Sequence, residues 1–145
     1  MEVKTKWVVG FLFRNNTEVA LISKTHPAWQ AGKLNGIGGK MDEGEMPIVC
    51  MQREFLEEAG VAVSDWKEFA LLNVQDGEVH FFVAHGDYKL QSQTDEIVSW
   101  YAVADLKKLP IIQNLEWLVP LALDPGSKYT VVEYFQTHEG NERYV

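Results

Sequence analysis

The chain has one cysteine, Cys50, in 145 residues, so no intrachain disulfide can form and the core alone must hold the fold. Cys50 lies among apolar neighbours, with only Arg53 near enough to lower its pKa, and reads as a buried, inert thiol. No run approaches the roughly 18 apolar residues of a membrane-spanning helix. The N-terminal MEVKTKWVVGFLF lacks the apolar core and small-residue cleavage site of a secretory signal. The expectation is a cytoplasmic protein with no membrane partner. Positive charge is scarce as well: 13 Lys and Arg against 21 Asp and Glu leave a net charge of −8. Nucleic-acid polymers and anionic membranes both need a basic face, so neither is expected as a partner. A small anionic substrate remains open if lysines, arginines or metal ions supply cations locally. Repeats, low-complexity tracts and dividing linkers are missing too, and residues 1–145 are expected to form a single domain.

What is present begins with strands. TKWVVGFLFRNNTEVALISKT carries two β-rich runs around Arg14-Asn15-Asn16-Thr17 and predicts a hairpin. HPAWQAGKLNGIGGKMDEGEM is a long glycine-rich connection over residues 25–46, a length that in a compact domain is usually functional. Pro47 suits a first helical turn, Glu43 and Glu45 its positive end, and Gly60 its stop, so a helix is expected over 47–59. WKEFALLNVQ and EVHFFVAHG flank Asp76-Gly77 as a second hairpin. EIVSWYAV reads as a further strand, QNLEWLVPLAL as a helix bent or ended by Pro120, and KYTVVEYFQTH as a last or edge strand.

The 47–59 helix poses the functional question. Its wheel puts Ile48, Val49, Met51, Phe55, Leu56 and Ala59 on one broad face and Arg53, Glu54, Glu57 and Glu58 on the other. Carboxylates three and four residues apart repel, by a few tenths of a kcal/mol each in water. A solvated acidic face is the ordinary explanation. The spacing around it argues otherwise. From Gly39 the chain reads GKMDEGEMPIVCMQREFLEEAGV, that is G-x5-E-x7-R-E-U-x-E-E-x-G-U with U apolar, a chance match on the order of one in ten million per chain. Glu54, Glu57 and Glu58 would offer hard oxygen ligands of the kind Mg²⁺ takes together with phosphate oxygens and water. Arg53, four residues before Glu57, is placed to hold that carboxylate.

This stretch, residues 39–61, resembles the signature of the Nudix hydrolases, which hydrolyse a nucleoside diphosphate linked to another group. The resemblance implies an α/β fold, an α/β/α sandwich around a mixed β-sheet, and a Mg²⁺-dependent enzyme, with Mn²⁺ as a substitute. It implies metal binding by Glu54, Glu57, Glu58 and the Gly38 carbonyl, activation of water by Glu57 or Glu58, and a further acid from a later loop, for which Glu96 is chosen over Asp95. Glu45 is expected to tie the loop to the helix rather than to touch metal. WQAGKLNGIGGKMDEGE resembles the MutT-like branch acting on purine nucleoside triphosphates. There an asparagine at the position of Asn35 bonds the base, and Trp29 matches an aromatic beside it. Lys24, Lys33 and Lys40 are the cations at hand for phosphate.

QNLEWLVPLAL resembles the family helix whose start reads the purine edge. This chain has Gln113-Asn114 where that branch has an acidic pair, and Ile111 where it has a large aromatic, so preference for oxidised guanine need not carry over. ADP-ribose hydrolases usually place a proline soon after the box, and none occurs here before Pro110. Diadenosine polyphosphate hydrolases suggest a tyrosine, and none precedes Tyr88 in that stretch. The expected partner is a small-molecule nucleotide, hydrolysed to the monophosphate and pyrophosphate. Hydrolysis of ADP-ribose, a dinucleotide or a nucleotide sugar is the alternative, and a Nudix-fold regulator that binds without hydrolysing is another.

Overall fold

The computed structural model describes residues 4–133. Strand β1 (Thr5–Arg14) turns through Asn15 and Asn16, both at positive φ (54° and 55°), into β2 (Glu18–Ser23). Asparagine tolerates that left-handed region, which tight hairpins demand. The hairpin stays paired only at Phe13 with Val19 and Arg14 with Glu18. Beyond that β2 diverges to pair with β3 (Leu34–Asn35) and β7 (Val98–Ala102), while the same edge of β1 is taken up by β4 (Ile37–Lys40) from Trp7 to Gly10. On its other edge β1 runs parallel to β6 (Gly77–His85), which forms the expected hairpin with β5 (Lys67–Val74). Among the described residues these strands and β8 (Thr130–Glu133) make one mixed sheet.

Strand β1 is covered on both faces, which is why WVVGFLF is a nearly unbroken apolar run. Val8 and Leu12 point to one side, where α1 (Pro47–Ala59) packs; Val9, Phe11 and Phe13 point to the other, under α2 (Leu115–Leu123) and a 3-10 turn at Val103–Lys108. The result is the expected α/β/α layering. No helix among the described residues is long and apolar enough to cross a membrane.

Several expectations need correction. The 25–46 connection contains two strands, β3 and β4; short glycine-rich pieces carry no apolar alternation to reveal them. Helix α2 starts at Leu115, and Pro120 does not end it, since the helix continues to Leu123. Pro120 and Glu116 are both exposed, so water can take the Glu116 carbonyl that loses its partner. The EIVSWYAV strand stops at Ala102. β8 lies parallel beside β5 at the sheet edge, and the rest of its expected length falls outside the described residues. On α1 the buried residues are Cys50, Met51, Phe55 and Ala59, whereas Val49 and Leu56 are about half exposed, at 48% and 49%. The helix is rolled toward β4, where glycines leave room. The ridge Cys50–Glu54–Glu58 therefore borders the core ridge Met51–Phe55–Ala59 instead of opposing it.

Candidate active site

Gly39 lets α1 come down onto β4, and Gly38 lets β4 lie close against β1. A Cβ on Gly38 would stand 1.9 Å from the Val8 carbonyl oxygen, and one on Gly39 would stand 2.5 Å from the Glu54 carboxyl carbon. The Glu54 carboxylate thus lies directly on strand backbone. Arg53 organises the surrounding acids. Its Nε and Nη2 donate to the two Glu45 oxygens at 2.8 and 2.9 Å, and its Nη1 donates to Glu54 at 3.0 Å and Glu57 at 3.3 Å. The Arg53 guanidinium, working against partial burial and helped by the Asp42 amide, lowers the Glu45 pKa to about 2. Glu45 therefore ties the glycine-rich connection to α1, the structural role expected of it.

Glu54 and Glu58 pay for their place at the core boundary. Burial raises the pKa of Glu54, with Arg53 opposing. Burial, then the Glu54 charge, pushes Glu58 up to about 8, with Lys24 opposing and Glu96 adding to the rise. Glu58 Oε2 is buried and has no hydrogen-bond partner. Glu57 is exposed and is held by Arg53 Nη1. Cys50 behaves as expected: burial, above all, pushes its thiol up to about 12.

The loop before β7 brings Glu96 to the same end of α1, because the Gln91 and Gln93 amides donate to the Ala59 and Glu58 carbonyls at 2.8 and 3.2 Å. Gly60, at φ 71°, makes the left-handed turn that frees the helix end for this loop. Glu96 is 5% exposed. It accepts from Lys24 Nζ at 3.2 Å, the Thr25 amide at 2.7 Å and hydroxyl at 3.2 Å, and the His26 amide at 3.3 Å. Burial works to raise its pKa, and these donors together lower it. Lys24 is thus engaged by Glu96. Among the described residues no three Asp, Glu, His or Cys side chains close around a point that would hold an ion as they stand; Arg53 draws Glu54 and Glu57 to itself, and Lys24 draws Glu96.

The residues expected at the base lie beyond the other end of β4. Leu34 bridges to Ile111, its amide donating to the Pro110 carbonyl and its carbonyl accepting from Ile112, at 2.8 and 2.9 Å. That pairing sets Gln113, exposed, and Asn114, buried at the start of α2, beside the strand carrying Asn35. Trp29 is half-buried against the core under α2. Lys33 and Lys40 are exposed. Two residues here carry no signal in the sequence: Thr25, which doubly bonds Glu96, and Gln30, buried and bonded to Asn35. Each looks like an ordinary polar loop residue until the loop is folded.

A family model described as NUDIX domain matches residues 4–121. Over 77 residues the chain is 30% identical to the 8-oxo-dGTP diphosphatase of Escherichia coli (strain K12), an alignment covering 53% of this chain and 60% of that protein. A MutT protein structure from Bacillus halodurans superposes with a TM-score of 0.74 at 19% identity, over 93% of this chain and 92% of that one. An ADP-ribose pyrophosphatase structure from Streptococcus suis gives 0.69 at 17% identity, over 90% and 99%. At such identities the solved structures establish a shared fold.

Proposed function

The chain belongs to the Nudix family, and from that premise we propose that it is a Mg²⁺-dependent pyrophosphohydrolase, with Mn²⁺ as a substitute ion. Its substrate in this reading is a nucleoside triphosphate, purine type favoured, and its products are the monophosphate and pyrophosphate. One observation carries the reading: Glu58 Oε2 is buried without a partner, next to a second core-boundary carboxylate, Glu54. A buried carboxyl left without a donor and resisting ionisation is costly, and a divalent cation, which would favour its charged form, is the partner that such hard oxygens fit. Glu54, Glu57, Glu58, Glu96 and the Gly38 carbonyl would hold it. When bound, it would neutralise phosphate charge and lower the pKa of water.

The chain's own groups supply the rest. Arg53 holds Glu54 and Glu57 in place from one side, and its paired bond to Glu45 keeps the guanidinium from leaving. Glu57 or Glu58 takes the proton of the attacking water; Glu58 Oε2 has the open lone pairs for it, and Glu57 the solvent access. Lys33 and Lys40, with Lys24 once released from Glu96, would meet phosphate, while Asn35, Trp29, Gln113 and Asn114 would contact the base. Catalysis is mostly positioning and charge neutralisation. A second reading, hydrolysis of ADP-ribose, a dinucleotide or a nucleotide sugar, is favoured by the Gln113-Asn114 amides, which do not impose one base edge.

The test is pyrophosphate or phosphate release with Mg²⁺ from a panel of nucleoside triphosphates, ADP-ribose, dinucleotides and nucleotide sugars. Triphosphates should be cleaved best, and Glu57→Gln should cut turnover by roughly two orders of magnitude or more with the melting temperature kept. Equal turnover by the variant would overturn the assignment; binding without cleavage of any compound would indicate a regulator.

A further inference from the structure

Arg53 and Lys24 both bring positive charge to the acids of the site, and they are held differently. Arg53 is tied to Glu45 through Nε and Nη2, a paired bond that keeps its guanidinium in place. Lys24 carries a compact ammonium on a flexible stem. Its backbone is fixed, the N–H donating to the Lys33 carbonyl at 2.8 Å and the carbonyl accepting from the Gly32 amide at 2.9 Å, so the part free to move is the side chain. Nζ donates to Glu96 Oε1 at 3.2 Å in a largely buried pair, the two side chains being 15% and 6% exposed. Its charge also reaches Glu58, where burial and the Glu54 charge raise the pKa and Lys24 opposes them.

The two oxygens of Glu96 have separate duties. Oε2 accepts from the Thr25 amide and hydroxyl and from the His26 amide, three donors that hold the carboxylate without help from Lys24. Oε1 is the oxygen that the ammonium takes. An ammonium and a divalent cation on one largely buried carboxylate oxygen repel strongly, because little water screens them. On the reading that Glu96 belongs to the metal site, we infer that Lys24 is an internal competitor of the divalent cation: its ammonium holds Glu96 Oε1 until a metal–phosphate complex arrives, and then exchanges the carboxylate for phosphate. The exchange weakens the hold of nucleotide-free protein on bare metal and delivers a phosphate-binding cation together with the substrate.

The experiment measures Mn²⁺ binding to nucleotide-free wild type, Lys24→Met, Lys24→Gln and Lys24→Arg by electron paramagnetic resonance, with melting temperatures in EDTA and at one fixed Mn²⁺ concentration. Lys24→Met and Lys24→Gln, which remove the charge, should bind Mn²⁺ about tenfold tighter than wild type. Mn²⁺ should also raise their melting temperatures above the EDTA values by more than it raises the wild type's. Lys24→Arg, which keeps the charge, should bind no tighter than wild type. If Lys24 merely held Glu96 in position, its loss would weaken metal binding, so equal or weaker Mn²⁺ binding by whichever of the Met and Gln variants folds overturns the inference. So does a Lys24→Arg protein that binds as tightly as those two. Mn²⁺ binding to none of the four proteins overturns the metal site of the proposed function, and the inference with it.

Discussion

Glu58 is the residue that defines the site, because its position on α1 is set by packing and its chemistry by what packing denies it. Four residues after Glu54 and three after Phe55, it is carried into the boundary between helix and sheet, where one carboxylate oxygen finds no donor. Gln at this position keeps the shape and removes the charge. In metal-free protein near pH 7 the Glu58 carboxyl, its pKa pushed up to about 8 by burial, takes up a proton on folding that Gln does not need, so Glu58→Gln should raise the melting temperature by a few degrees. The same variant should lose hydrolysis. Scanning calorimetry in EDTA, paired with the activity assay, checks both; a variant that melts lower and still turns over would place Glu58 as a structural residue. The spacing of the acids was legible in the sequence. Their unequal environments were not, since Glu54, Glu57 and Glu58 are equivalent on a wheel until the sheet fixes which way the helix rolls.

At the scale of elements, β4 and α1 form one unit, and the two glycines of β4 have different jobs. Gly38 is pressed against the β1 backbone, so Gly38→Ala must push two strands apart and should destabilise the fold by about 3 kcal/mol. Gly39 faces the Glu54 carboxylate, the end of a side chain that can yield. Gly39→Ala should therefore fold nearly as well as wild type and lose on the order of tenfold to a hundredfold in kcat through displacement of Glu54. Urea unfolding and steady-state kinetics on the two variants separate these effects; equal behaviour would mean the two glycines serve one purpose. The hairpins at Asn15-Asn16 and Asp76-Gly77 and the 47–59 helix follow from local residue preferences and could be read directly. β3 and β4 could not, because two- and four-residue strands draw their stability from partners distant in the chain.

At the scale of the whole molecule, a protein of net charge −8 that brings carboxylates to one end of a helix gains stability from any divalent cation binding the native state alone. Mg²⁺ at a hundredfold excess over its Kd should add about 2.7 kcal/mol, a rise of several degrees in melting temperature that EDTA reverses. Glu57→Gln and Glu58→Gln should each reduce that rise. No shift with Mg²⁺ or Mn²⁺ would leave the acids without their partner. By itself the sequence determined the family signature, the helix that bears it, the two hairpins and a layered α/β class, because each depends on residues near one another in the chain or on fixed spacing along it. Only the tertiary structure decided that Glu58 is half-buried with one oxygen shut off from any donor while Glu57 is exposed, that Lys24 and Thr25 are engaged by Glu96, and that Gln30 bonds Asn35. Those contacts join loops whose composition is unremarkable, and their existence follows from how the sheet splits between β2 and β4, a long-range outcome that no local preference encodes.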